Sequence, residues 1–155
     1  MLDIYPREGG KLIHMMMTTP PPPPCQFTYV VNAAGWEREI NQALGVFSTL
    51  SGVQFTVAAP GTDPRLAFDV KRRLTMPDGT GALAWTWNGD VTFTPAKNFS
   101  HTERVRIALH EMMHVFGFGH NDTPGSILNV DKPRPAGARL SADDRAAVTT
   151  LGCAA

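Results

Sequence analysis

The sequence predicts an α+β domain. Three observations carry that expectation: a strand, a helix and a strand in succession over residues 27–57, an Asn-Gly pair between two short strand patterns, and two later helical periods. A chain of 155 residues suits one domain with a sizeable core. Apolar content of 43% and charged content of 18% fit a globular protein. Formal net charge is zero, so neither nucleic acid nor an anionic membrane is implied as a partner. The one basic run, Lys71-Arg72-Arg73, reads as a strand edge kept soluble. No apolar stretch reaches the ~18 residues of a membrane span.

Residues 1–19 show no clean period. They do not read as a secretory signal, because the apolar piece at residues 12–17 is short and contains His14. Compartment stays open: export by another route, action at the place of synthesis, release by lysis or association with a virion all fit. Three consecutive methionines, Met15, Met16 and Met17, leave open a buried patch, a partner contact or an alternative start. Five prolines at residues 20–24 predict a stiff polyproline II spacer. Residues 1–25 are therefore expected as an arm, partly disordered or touching a partner, and residues 26–155 as the folded domain. Cys25 and Cys153 stand near the two ends of that domain. A disulfide between them would be worth about 4–5 kcal/mol in the chain-entropy model. Two free thiols are the alternative, and the residues do not decide.

Within the domain, residues 27–31 alternate with branched and aromatic side chains, as a strand does. Trp36, Ile40, Ala43, Leu44, Phe47 and Leu50 follow a helical period, which Gly52 closes. Residues 53–57 and 65–70 read as two further strands. The strand–helix–strand order predicts a right-handed crossover into parallel pairing. Residues 76–81 are rich in turn formers. Asn88-Gly89 then predicts a hairpin between residues 82–87 and 90–94. A helix is expected from Thr102 onward, capped by Ser100 or His101. Ser141 fits the N-cap of a last helix, with Asp143 and Asp144 complementing its N-terminus. Ala146, Ala147, Val148 and Leu151 are expected to pack that helix inward.

The middle helix carries His110-Glu111-Met112-Met113-His114-Val115-Phe116-Gly117-Phe118-Gly119-His120. Two histidines four apart lie on one helix face, about 6 Å apart along the axis, so both imidazoles can reach one metal. Glu111 points about 100° away round the helix, beside the metal and not on it. Gly117 can take a positive φ and turn the chain so that His120 returns as a third ligand. Three protein ligands leave one position open, which is the catalytic pattern for zinc. Such a set of five residues arises by chance about once in a hundred thousand chains of this length, so coincidence is set aside.

On these residues the chain resembles a metzincin zinc metalloprotease, most closely the matrixin catalytic domain. Weaker matches are Gly81-Ala82-Leu83-Ala84 with Gly89-Asp90-Val91-Thr92-Phe93, then Gly125-Ser126-Ile127-Leu128-Asn129 at the Met-turn place. Leu140-Ser141-Ala142-Asp143-Asp144 is similar to the start of the last matrixin helix. The resemblance covers residues 26–152. It implies a zincin fold: a twisted mixed sheet of four to five strands with an antiparallel edge strand, packed on two long helices, plus a short C-terminal helix. It implies one catalytic Zn²⁺ on His110, His114 and His120, with Glu111 as general base toward a zinc-activated water. Gly117 and Leu128 take structural roles. Leu128 stands where the family has methionine, similar in volume but without the sulfur. No tyrosine follows the zinc motif, and Thr94 and Pro95 stand where animal matrixins place acidic calcium ligands, so calcium is left open.

The resemblance further implies that an extended peptide adds to the strand at Ala82, Leu83, Ala84 and Trp85 by main-chain hydrogen bonds. Val105, Leu109 and Val130 are expected to line a specificity pocket beside the metal. Trp85 and Trp87 share one strand face, as core or as a platform at the cleft. The function implied is zinc-dependent endopeptidase action on a peptide or protein. Two alternatives remain: a zinc amidase acting on another amide such as a cell-wall peptide, and a non-enzymatic assembly or binding component on the same scaffold. The intact Glu111 speaks against the last.

Overall fold

A computed structural model of the chain describes residues 2–6, 25–129 and 138–153. Its elements run β1 (Leu2–Pro6), β2 (Gln26–Val31), α1 (Glu37–Ser51), β3 (Gln54–Val57), β4 (Leu66–Val70), β5 (Leu74–Thr75), β6 (Gly81–Trp87), β7 (Asp90–Phe93), α2 (His101–Val115) and α3 (Ala142–Thr149). The methionine triplet and the five prolines lie outside the described residues, as does Val130.

The sheet runs in the order β1-β6-β7-β4-β2-β3, with β5 also pairing β6. β2 pairs β3 in parallel across α1, the crossover expected from the sequence. β4 is parallel to β2 and β7 to β4, while β6 is antiparallel to β7. The five expected strands thus form a mixed sheet. It differs from the expectation at its edge. β6 is not left open: Leu2 to Tyr5 pair antiparallel with Trp87 to Ala84, and Leu74 and Thr75 pair with Ala82 and Gly81. The first residues of the expected arm are therefore a strand of the sheet. The hairpin between β6 and β7 turns at Asn88 (φ 48°) and Gly89 (φ 84°), both left-handed as a two-residue turn requires. A Cβ on Gly89 would also collide with the carbonyl oxygen of Arg65, so no other residue fits there.

Aromatic side chains fix the helices to the sheet. Trp36, at the head of α1, stacks on Phe93 of β7 with centroids 4.1 Å apart, and its indole N–H donates to the Thr94 carbonyl at 3.0 Å. Phe47 of α1 stacks on Phe116 at the end of α2, and Phe27 of β2 meets the same ring edge-on. Ile40, Ala43, Val105, Leu109, Met112 and Met113 are buried between these elements. Truncating one such large side chain costs about 2–5 kcal/mol. α2 begins with a reciprocal capping box. Glu103 N–H donates to Ser100 Oγ at 3.2 Å, and Ser100 N–H donates to Glu103 Oε1 at 3.1 Å. Ser100, not His101, is thus the cap.

Cys25 and Cys153 are joined in a disulfide, 128 residues apart in sequence. It ties the start of β2 to the segment after α3, where Cys153 N–H also donates to the Ser51 carbonyl at 2.9 Å. Within α3, Val148 is buried and Ala147 half-buried, but Ala146 is exposed, against the expectation. Asp144 takes the inward place instead.

Candidate metal centre

α2 delivers His110 and His114 one turn apart on its buried side. The helix ends at the Phe116 ring cluster, and Gly117 takes φ 92°, a left-handed conformation that turns the chain back. The turn brings His120 to the other two. The three Nε2 atoms lie 2.9, 3.1 and 3.1 Å from one another, and all three residues are buried. Among the described residues this is the cluster fit to hold a metal.

The other ring nitrogens explain why. His110 Nδ1–H donates to the Ile127 carbonyl at 2.8 Å, and His114 Nδ1–H to the Phe118 carbonyl at 2.7 Å. A neutral imidazole that donates at Nδ1 keeps a lone pair at Nε2. Lone pairs facing each other at about 3 Å repel unless a cation lies between them. Four-coordinate zinc with bonds of about 2.0–2.1 Å separates its nitrogen ligands by about 3.3 Å. The donor type, the fixed tautomers and the spacing all fit a zinc ion. The carbonyl partners orient the ligands in the way outer-shell groups do at metal sites.

Glu111 is fully buried beside this cluster, with Oε2 3.8 Å from His110 Nε2. Its Oε1 accepts a hydrogen bond from Thr86 Oγ1 of β6 at 2.7 Å. The loop behind His110 is held from α3. Asp144 accepts from Ser126 Oγ at 2.6 Å and from Ile127 N–H at 2.8 Å. Ile127 therefore takes a bond from His110 on one side and gives one to Asp144 on the other. Leu128, next in the chain, is buried, and its carbonyl accepts from Asn121 N–H at 3.2 Å.

Residues 25–152 match the Matrixin family model. The chain belongs to the matrixin family. Among curated proteins, the matrixin chain is 30% identical over 137 residues to human (Homo sapiens) matrix metalloproteinase-21, covering 78% of this chain and 24% of that protein. It is 34% identical over 107 residues to the mouse (Mus musculus) matrix metalloproteinase-21, covering 60% of this chain and 19% of that one. This matrixin chain thus spans about a quarter or less of the length of the relatives it matches.

The structure brings His110, His114, His120 and Glu111 of this matrixin together around one point. Ala82 and Ala84 are buried on the β6 face shared with Thr86, while Trp85 and exposed Trp87 lie on the other face. Trp85 packs on a small separate cluster of Leu74, Met76 and Ala82. Val105 and Leu109, expected beside the metal, are both buried on α2. They line a cleft of about 530 Å³ with Gln42, Val46 and Leu140, between α1 and the segment before α3. Three contributors escaped the sequence reading: Thr86, Asp144 and the Ile127 carbonyl. Thr86 carries a signal in hindsight, as a polar residue on a strand face otherwise made of Ala82 and Ala84. Asp144 carries another, as the third helical position after a capping serine.

Proposed function

We propose that the protein is a zinc-dependent endopeptidase with Glu111 as its general base. The observation that carries the reading is the convergence of three imidazole Nε2 atoms beside a buried glutamate. His110, His114 and His120 would hold Zn²⁺. When bound, that ion supplies Lewis-acid polarisation and makes water acidic enough to ionise near neutral pH. Glu111 takes the proton from the attacking water on the carboxylate side facing the cluster, and hands it to the leaving amine as the peptide bond breaks. Buried Leu128 would floor the site in the methionine's place. β6 presents Ala82 to Trp85 to an extended peptide along the edge that β1 occupies in this structure, so β1 leaves when substrate binds. The disulfide suits an oxidising compartment. A zinc amidase for other amides would use the same groups, and substrate profiling separates the two.

The experiment compares wild type, Glu111→Ala and chelator-treated protein on an unstructured protein substrate, with zinc content measured in each. Wild type is expected to bind one zinc per chain and to cleave. Glu111→Ala is expected to keep its zinc and lose at least about 100-fold in rate, the scale of general-base catalysis. Equal rates in wild type and Glu111→Ala would leave the chain as a zinc-binding scaffold.

A further inference from the structure

We propose that Thr86 is a positioning residue for the general base, holding the Glu111 carboxylate in its working orientation from strand β6. The proposal rests on the endopeptidase reading of Glu111. Thr86 Oγ1 lies 2.7 Å from Glu111 Oε1 and 3.4 Å from the main-chain oxygen of the same residue. A hydroxyl has one proton to give, and the shorter contact takes it. A bond from a hydroxyl to a carboxylate is charge-assisted and among the stronger kinds. It holds Oε1 toward the sheet and leaves Oε2 on the side of His110 Nε2. A glutamate carboxylate torsion is broad and nearly two-fold, and this bond favours one setting.

The donor is well placed for that work. Thr86 is opposite Val91 of β7, so its backbone is fixed on the side away from the substrate edge. Its β-branched side chain has restricted χ1 freedom. It is only 5% exposed and Glu111 is fully buried, so bulk water does not readily replace the bond if it is lost. Ala82 and Ala84 on the same strand face are small. The base of α2 is in this way registered to the strand that would carry substrate. A general base must lie within hydrogen-bond reach of the proton it takes, and small misplacements are costly.

The test uses the full chain with zinc, as wild type, Thr86→Val and Thr86→Ser, on a fluorogenic peptide. Valine keeps the shape and removes the hydroxyl; serine keeps the hydroxyl. Thr86→Val is expected to lower kcat about 10–100-fold with KM within about twofold and zinc content unchanged. Thr86→Ser is expected to recover most of kcat. Wild-type kcat in a zinc-replete Thr86→Val protein overturns the proposal, and so does a Thr86→Ser protein as slow as the valine variant. A second readout needs no turnover. The Thr86 hydroxyl proton, bonded to a buried carboxylate, is expected as a slowly exchanging NMR signal in wild type and to be lost in Glu111→Ala. Absence of a protected hydroxyl in wild type overturns the proposal even where peptide cleavage is normal. If wild type cleaves nothing, the endopeptidase reading falls, and the hydroxyl signal still decides whether Thr86 holds Glu111.

Discussion

Glu39 lies buried between α1 and α2, with Oε2 2.6 Å from His101 Nδ1 and 3.1 Å from Arg104 Nε. Burial pushes its carboxyl upward, but the bonds from His101 and Arg104 outweigh that and hold it below the usual glutamate value of 4.5. A carboxyl depressed in the folded state adds stability above its unfolded pKa and loses it as pH falls through the folded one. Glu39→Gln is therefore expected to destabilise the protein by about 2 kcal/mol at pH 7, the scale of hydrogen bonds to charged groups. The gap from wild type should close as pH drops below about 4.5, through the window where the unfolded chain protonates first. Urea unfolding at several pH values, with chelator present so that zinc plays no part, measures both. A gap that stays constant down to low pH would remove the ionised pair from the account. The same residue shows where sequence reading stops. His110, Glu111, His114 and His120 are legible because their spacing is itself the geometry: helix pitch and one glycine place them. Glu39 with His101, Thr86 with Glu111 and Ser126 with Asp144 are 62, 25 and 18 residues apart. No local period encodes such pairs, since the fold alone makes them neighbours.

Elements whose formation is local are legible in the sequence for the same reason. β2, β3, β4, β6 and β7 have alternating or branched runs, and α1 and α2 have an apolar helical stripe, the first closed by a left-handed glycine and the second opened by a capping serine. β5 is two residues long and has no pattern to offer. β1 is a strand through its pairing: Leu2 to Tyr5 form a strand because β6 offers them an unpaired edge. That pairing has a consequence for activity. If an extended peptide adds to β6 as proposed, it competes with β1 for one row of main-chain donors and acceptors. A chain beginning at Cys25 keeps the disulfide and removes β1 from Ala84 to Trp87, with β5 still paired at Gly81 and Ala82. Its kcat/KM on the fluorogenic peptide is expected to rise about tenfold, since displacing even two net hydrogen bonds costs about 1–3 kcal/mol. An unchanged kcat/KM would place the substrate on another surface.

At the scale of the whole molecule, the metal centre depends on parts of the chain that the zinc motif does not contain. His110 leans on Ile127, Ile127 on Asp144, and Asp144 opens α3. α3 is followed by Cys153, which the disulfide fastens to Cys25 at the mouth of β2. The crosslink thus closes nearly the whole domain into one loop and anchors the far end of the ligand support. In the chain-entropy model a loop of this length is worth about 5 kcal/mol, a large share of the 5–15 kcal/mol that keeps a domain folded. Replacing both cysteines by serine is expected to lower Tm by about 10–20 °C, at 2–4 °C per kcal/mol for a domain of this size. A second effect follows from the linkage through α3. If Asp144 is held in place by the tether, the double variant should also bind zinc more weakly at temperatures well below its Tm. Calorimetric melting and competition with a zinc chelator read the two effects separately. A lowered Tm with unchanged zinc affinity would mean that the disulfide steadies the domain while Asp144 and its capping box hold the metal loop unaided.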